Sequence, residues 1–150
     1  MCSFTVTNKN VDLNITNFFS QKRGPDHTNT KKINNISFLH NLLHITGEKT
    51  TQPLIDKDIV CLLNGEIYNY KDFGNYKSDS ECLIPLYKEF GLEFAKKLEG
   101  EFAICIVDFQ KLELIVINDT FATKPLWYSF KENEFAIASY ESSIYNLGFD

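Results

Sequence analysis

Apolar and polar positions along the chain fall into short blocks with two different periods. Residues 3–7 alternate and predict a short strand. Residues 11–21 carry Val11, Leu13, Ile15, Phe18 and Phe19, an imperfect stripe that predicts an amphipathic helix. Arg23-Gly24-Pro25-Asp26 is a turn that must end it. Residues 36–45 are apolar enough for a buried strand and 46–51 form a polar loop. A further strand over 59–63 runs into Asn64-Gly65-Glu66-Ile67-Tyr68-Asn69. Ser78 and Glu81 have capping-box spacing and open a helix with Leu83, Ile84, Leu86, Tyr87 and Phe90 on one face, stopped by Gly91. A short helix over 93–98 follows. Strands at 102–109 and 112–117 flank Gln110-Lys111, and strands at 126–130 and 134–139 flank Lys131-Glu132-Asn133, which predicts two hairpins. Residues 142–147 read as a last helix. The strands bunch as hairpins, with no βαβ rhythm, Gly-rich phosphate loop or internal repeat. The pattern predicts an α+β layered fold of antiparallel sheets.

Size and charge narrow the function. The 150 residues suit a single domain over 1–150 with a substantial core. No apolar run is long enough to span a bilayer, and Met1 is not followed by a secretory signal, so a cytoplasmic protein without a membrane partner is expected. The net charge of -5 argues against nucleic acid as a partner, since phosphate binding rests on clustered Lys and Arg. Arg23 is the only arginine, hence the only guanidinium the chain can offer.

Cysteine placement adds the chemistry. Cys61, Cys82 and Cys105 sit inside apolar runs and read as buried thiols in a reducing compartment. None of the cysteines has metal-ligand spacing, so neither a metal nor another cofactor is expected. Cys2 differs by position alone.

Four stretches then fall in register: Met1-Cys2, Arg23-Gly24-Pro25-Asp26, Asn64-Gly65-Glu66-Ile67-Tyr68-Asn69 and Ser78-Asp79-Ser80-Glu81. Gln52-Pro53, Gly100-Glu101-Phe102-Ala103, Asp119 with Lys124-Pro125-Leu126, and Ala138-Ser139 extend the pattern over nearly the whole chain. In this order they resemble the glutaminase domain of class II glutamine amidotransferases, and most closely the N-terminal half of asparagine synthetase. The resemblance implies an N-terminal nucleophile hydrolase, a four-layer α/β/β/α sandwich. It implies that Cys2 becomes the first residue once Met1 is cleaved. A thiol is nucleophilic as thiolate, and a free α-amine of pKa about 8 is partly neutral near pH 7 and can serve as base. Attack on the glutamine side-chain amide would give a thioester and ammonia, and water would release glutamate. By the same resemblance the Asn64 side chain and the Gly65 N–H hold the oxyanion, while Glu66 and Asp79 hold the substrate ammonium. Taken locally, Asn64-Gly65 also reads as a hairpin turn, and Asp79 as an acid favoured at a helix start.

The sequence departs from that family at several points. Leu42 stands where an arginine that clamps the substrate α-carboxylate is expected, and Ser3 and Ala122 replace usual glycines. Three consequences are open. Arg23, His44 or a lysine takes over the carboxylate; the substrate is a modified γ-glutamyl amide lacking it; or the domain has lost glutaminase activity and acts by partner binding. His40 and His44 also read as ordinary strand histidines. No ATP-using synthetase half follows, so the expected partner, besides glutamine or a related amide, is a separate synthetase subunit that receives the ammonia. Trp127 and Tyr128 read either as a docking face for it or as core aromatics of a hairpin.

Overall fold

The computed structural model describes residues 1–149. In chain order the strands are β1 (Ser3–Thr7), β2 (His27–Ile33), β3 (Ile36–Leu42), β4 (Leu54–Asp56), β5 (Ile59–Ile67), β6 (Gly100–Asp108), β7 (Glu113–Asn118), β8 (Trp127–Lys131) and β9 (Glu134–Ala138). The α-helices are α1 (Asn14–Ser20), α2 (Leu83–Phe90) and α3 (Glu141–Asn146), with 3-10 turns at Gln21–Arg23, Tyr70–Phe73, Asp79–Cys82 and Gly91–Lys97. The class is α+β with antiparallel pairing throughout the described sheets, as the hairpin pattern predicts. β2 and the short β4 are absent from the sequence reading because their residues are mostly polar or half-exposed and carry no apolar period. No helix among the described residues is long and apolar enough to cross a membrane.

Two compact units form. One comprises Met1–Leu43 and the segment from Pro125 onward; the other is His44–Lys124.

The first unit carries the five-stranded sheet β2-β3-β1-β9-β8. Thr5 lies opposite Leu39 on one side and Ala138 on the other, so these residues share a face. Leu39, Ala136 and Ala138 pack there against Leu13, Ile144, Leu147 and Phe149. The opposite face presents Phe4, Val6, Phe38, His40 and Ile137, all buried. The stripe expected along α1 is reversed. Ile15, Phe18 and Phe19 are exposed, while Thr16, Asn17 and Ser20 are buried. A polar cluster under the helix, described below, supplies partners for those three and decides which face turns inward. Trp127, Tyr128 and Phe130 on the edge strand β8 are exposed as well, which rules out the core reading for Trp127 and Tyr128.

The second unit carries the sheet β4-β5-β6-β7. Ile59, Cys61, Leu63 and Ile67 alternate onto one face of β5 and meet Ile104 and Ile106 of β6. The apolar side of α2 (Leu83, Ile84, Leu86 and Tyr87) covers them together with Phe94. Burying each such side chain contributes about 1.5–3 kcal/mol. The helix ends at Gly91, whose φ of 58° is the left-handed stop expected of glycine. Its start differs from the predicted capping box. Ser78 makes no cap bond, Glu81 accepts from the Lys77 N–H instead, and Asp79–Cys82 tightens into a 3-10 turn before α2 begins.

Candidate active site

The first unit fixes Cys2. Its Sγ accepts the Leu43 N–H at 3.4 Å and faces the Leu43 carbonyl at 3.7 Å. The residue is buried at 7% exposure, so the thiol is held rather than dangling from a free terminus. Ser3, next in the chain, anchors the position from the other face of the strand. Its Oγ donates to the Ser20 carbonyl (2.9 Å) and accepts from Asn41 Nδ2 (3.0 Å). The same Nδ2 donates to Asn17 Oδ1 (2.8 Å), and Asn41 Oδ1 accepts from Thr28 Oγ1 (2.7 Å). Ser20 Oγ lies 3.2 Å from both Asn17 Oδ1 and the Thr16 carbonyl. This chain of polar side chains ties β1, β2, β3 and α1 together, and it explains the reversed helix: a buried amide without partners would cost about 1–3 kcal/mol. The Ser3 hydroxyl is therefore a structural part of the network.

Arg23 follows directly. Gly24 lies against the end of β3, where an added Cβ would stand 2.2 Å from the Asn41 carbonyl oxygen, so no larger residue fits. The Asp26 N–H donates to the Leu42 carbonyl (3.0 Å). Leu42 itself is buried and apolar.

The second unit holds the other predicted residues. Asn64 and Gly65 lie within β5, opposite Ala103 and Phe102, so the hairpin-turn reading is displaced by a long regular strand. Gly65 has a φ of +150°, and an added Cβ would stand 2.1 Å from the Glu101 carbonyl oxygen. Only glycine permits this close pairing. Asn64 alternates to the face away from α2 and is fully buried, yet neither its Nδ2 nor its Oδ1 has a hydrogen-bond partner among the described residues. A polar amide left unbonded inside a strand is rare and calls for an explanation. The backbone next to it is firmly held, because Gln52 Oε1 accepts the Leu63 N–H at 2.6 Å.

Glu66 and Asp79 come together. Asp79 Oδ2 accepts the Ile67 N–H at 3.0 Å, at the end of the strand that carries Glu66. Burial pushes the Asp79 carboxyl up to about 6; the Ile67 N–H opposes this, and the nearby Glu66 charge adds to it. Two neighbouring carboxylates attract a cation. Glu66 Oε2 also accepts from Thr46 Oγ1. His44 stands apart from the expectation of a strand histidine. β3 ends at Leu42, so His44 lies in the following loop, exposed, with Nε2 2.8 Å from the Gly47 carbonyl. Burial pushes the thiols of Cys82 and Cys105 up to about 12, and that of Cys61 well up, leaving them poor nucleophiles.

Of the other matched motifs, those in this unit brace its sheet. Glu101 pairs with the buried Lys124 at 3.1 Å, and Asp119 accepts the Phe102 N–H at 3.0 Å, which braces β6 where it lies against Gly65. Thr46 and the network of Ser3, Asn17, Ser20 and Asn41 are contributions that local sequence did not signal, since all but the Ser20 bonds within α1 join residues far apart in the chain.

Comparison with known proteins shows the family. Residues 1–149 match the glutamine amidotransferase domain family, a match that runs across both units. A putative glutamine-hydrolysing asparagine synthetase of Methanocaldococcus jannaschii is 34% identical over 143 residues, covering 87% of this chain and 26% of that protein. Asparagine synthetase 2 of Bacillus subtilis is 33% identical over 135 residues, covering 83% of this chain and 18% of that protein. The amidase chry2 of Gibberella zeae is 33% identical over 112 residues, 66% of this chain and 16% of that protein. The chain thus spans about a quarter or less of the length of these relatives. Among solved structures, the glutamine phosphoribosylpyrophosphate amidotransferase of B. subtilis superposes with a TM-score of 0.72 at 17% identity, covering 99% of this chain and 44% of that one. That likeness shows the N-terminal nucleophile hydrolase fold. With the family match over almost every residue, the chain belongs to the glutamine amidotransferase domain family.

Proposed function

We propose that this chain hydrolyses the side-chain amide of glutamine through a Cys2 thioester and supplies the ammonia to a separate synthetase. The observation that carries the reading is Asn64, a buried amide with both polar ends unbonded beside a glycine that no other residue can replace. Such a donor is what a tetrahedral oxyanion requires, and it costs no reorganisation when the charge appears. The Gly65 N–H would be the second donor. Cleavage of Met1 would leave the Cys2 α-amine as local base. Thiolate attack on the amide carbon would form the tetrahedral intermediate, collapse of that intermediate would expel ammonia with a proton returned from the amine, and water would cleave the thioester by the same route. Glu66 and Asp79, paired as carboxylates, would hold the substrate ammonium. The lengths of the relatives support a partner with the synthetase role. The reaction so written needs no metal or organic cofactor.

The test is a glutaminase assay with mass spectrometry. Native protein should lack Met1 and release ammonia from glutamine, and Cys2→Ala should lose turnover on the order of 10⁴-fold or more. Retained Met1 with no ammonia release, or activity that survives Cys2→Ala, would sink the reading. A second reading, an amidase for a different γ-glutamyl amide, is favoured by the similarity to the amidase of G. zeae and by buried, uncharged Leu42.

A further inference from the structure

We infer that the open edge of β8 is an interface with a second copy of this chain, in which the two β8 strands pair antiparallel about a two-fold axis and Lys131 of each copy enters a cleft beside Glu141 of the other. The inference goes beyond glutamine hydrolysis and does not depend on it. β8 ends the order β2-β3-β1-β9-β8, so one of its edges faces no strand among the described residues. Its backbone turns hydrogen-bonding groups to that edge. The Phe135 N–H donates to Asn8 Oδ1 at 2.7 Å, and the Phe135 carbonyl accepts from Thr7 Oγ1 at 2.5 Å. Both partners lie at the end of β1, on the far side of β9, so the Phe130–Phe135 pair exchanges no backbone bonds. The N–H and C=O of Phe130 therefore point outward, and by the two-residue period those of Tyr128 do too. Edge strands are normally guarded by a proline, a bulge or a central charge. Trp127–Lys131 has no proline, pairs with β9 without a break and carries its one charge at its end. Tyr128 and Phe130 are 63% and 62% exposed there, their rings 5.9 Å apart.

The two faces of the strand make a second copy the fitting occupant. Trp127, Ser129 and Lys131 share the helix-covered face, because Trp127 lies opposite Ala138, which packs with Ile144 of α3. On that face a cleft of about 140 Å³ opens between β8 and α3, large enough for a long side chain rather than one water. Ile144 and Phe149 are its buried floor; Trp127, Tyr145 and Glu141 are its exposed walls. Lys9 sits over the Phe149 ring, 4.9 Å from its centre, and is matched by Glu134 at 3.5 Å. Glu141 has no ion pair among the described residues. An indole, a phenol and an unmatched carboxylate attract a cation on a flexible stem. In the antiparallel register that overlaps the whole strand, Ser129 faces Ser129 of the second copy, Tyr128 faces Phe130, and Trp127 faces Lys131. Tyr128 and Phe130 then exchange the backbone bonds left open in each copy, and their rings meet on the face away from α3. Lys131 arrives at Trp127 and at Glu141, which follows Ala138 closely at the same end of the sheet. The cation and the acidic cleft lie at opposite ends of β8, so the edge is complementary to itself and the two-fold repeats each contact. One strand pair is a small interface, so a dissociation constant on the order of micromolar is expected.

Sedimentation equilibrium of the full chain tests the interface. The native protein should pass from monomer to dimer as its concentration rises through the micromolar range. Phe130→Pro removes an outward N–H and no donor to β9, so it should abolish the dimer while the circular dichroism stays native. Glu141→Lys and Lys131→Glu should each weaken the dimer about tenfold or more, since the two-fold sets like charges together twice. The double variant should restore it, a rescue that no structural role of either residue within one copy would produce. Ser129→Cys, placed on the two-fold, should give a disulfide-linked dimer with oxidised glutathione as electron acceptor, two thiols forming one disulfide. A monomer at all concentrations would overturn the inference and return the edge to a different partner. A dimer that Phe130→Pro and the single charge reversals leave unchanged would overturn it too, as would a double variant no tighter than the single ones. If Phe130→Pro does not fold, the three charge variants read the same interface from exposed positions.

Discussion

Two polar clusters, one in each unit, treat their buried groups in opposite ways. In the first, Ser3, Asn17, Ser20, Thr28 and Asn41 bond to one another in a chain that leaves none of these side chains without a partner. In the second, Asn64 sits on a core strand with its amide unbonded, and Asp79 is buried beside a second acid. A bonded network rigidifies and gives stability; an unbonded amide or crowded carboxylate costs stability and is retained where a ligand supplies what is missing. The bonded cluster thus positions Cys2, and the cluster around Asn64 and Asp79 is left with unmet charge and hydrogen bonds. The same type of residue, asparagine, serves both ends: Asn41 as framework and Asn64 as donor.

The comparison can be broken by substitution. Gly65→Ala should have the largest effect. Its Cβ would meet the Glu101 carbonyl at 2.1 Å, backbone against backbone, so neither side can yield cheaply. Destabilisation above about 4 kcal/mol is expected in a denaturant melt; a normal midpoint would contradict the close pairing of β5 and β6. Asn64→Ala should separate activity from stability. Turnover should fall about 10²–10³-fold, while the melting temperature stays near wild type, because no hydrogen bond is lost. Asn41→Ala should do the reverse and lower stability by about 1–3 kcal/mol, by stranding Thr28 and taking one bond each from Ser3 and Asn17. Equal stability losses for the two asparagines would erase the contrast between the units.

Asp79 gives a pH test with a definite sign. Its folded pKa of about 6 lies above the value for an unfolded aspartate, so the folded state binds the proton more tightly between roughly pH 4 and 6. Stability should fall as pH rises through that window and stay lowered above it, by on the order of 2–3 kcal/mol from this group. Asp79→Asn should remove the slope and be the more stable protein at pH 7. Wild-type kcat/KM for glutamine should rise through an acid limb near pH 6 as the carboxylate ionises, and Asp79→Asn should lose glutamine affinity. A flat stability difference between the two proteins from pH 4 to 7 would refute the buried-acid assignment. Ala122→Gly should have the smallest effect. Ala122 has a φ of 50°, and relief of that left-handed strain should add about 1 kcal/mol or less in thermal melts.

Much of the fold was legible in the chain. The strand at β1, the hairpins β6–β7 and β8–β9, the Gly91 stop and the final helix follow from alternation, turn residues and apolar period. β2 and β4 did not, because a polar edge strand is held by its neighbour's backbone rather than by its own side chains. The helix α1 was found but turned the wrong way. Counting apolar residues favours burying Ile15, Phe18 and Phe19, and nothing local reveals that Asn41 and Ser3 await Asn17 and Ser20. The same holds at Ser78 and Glu81, whose spacing fits a cap while Lys77 offers Glu81 a better-placed N–H.

For the site, the sequence by itself determined which residues to examine: Cys2 at the second position, the one arginine, the Asn64-Gly65-Glu66 run and Asp79. Those choices rest on residue chemistry and register, which are properties of the chain. Only the tertiary structure decided their states. It put Asn64-Gly65 inside a strand, left the Asn64 amide and the Arg23 Nε without partners, raised Asp79 toward neutrality and moved His44 out of the strand into a loop. Hydrogen-bond satisfaction and desolvation depend on which distant segments arrive at a residue, and no local pattern of apolar and polar positions encodes that arrival.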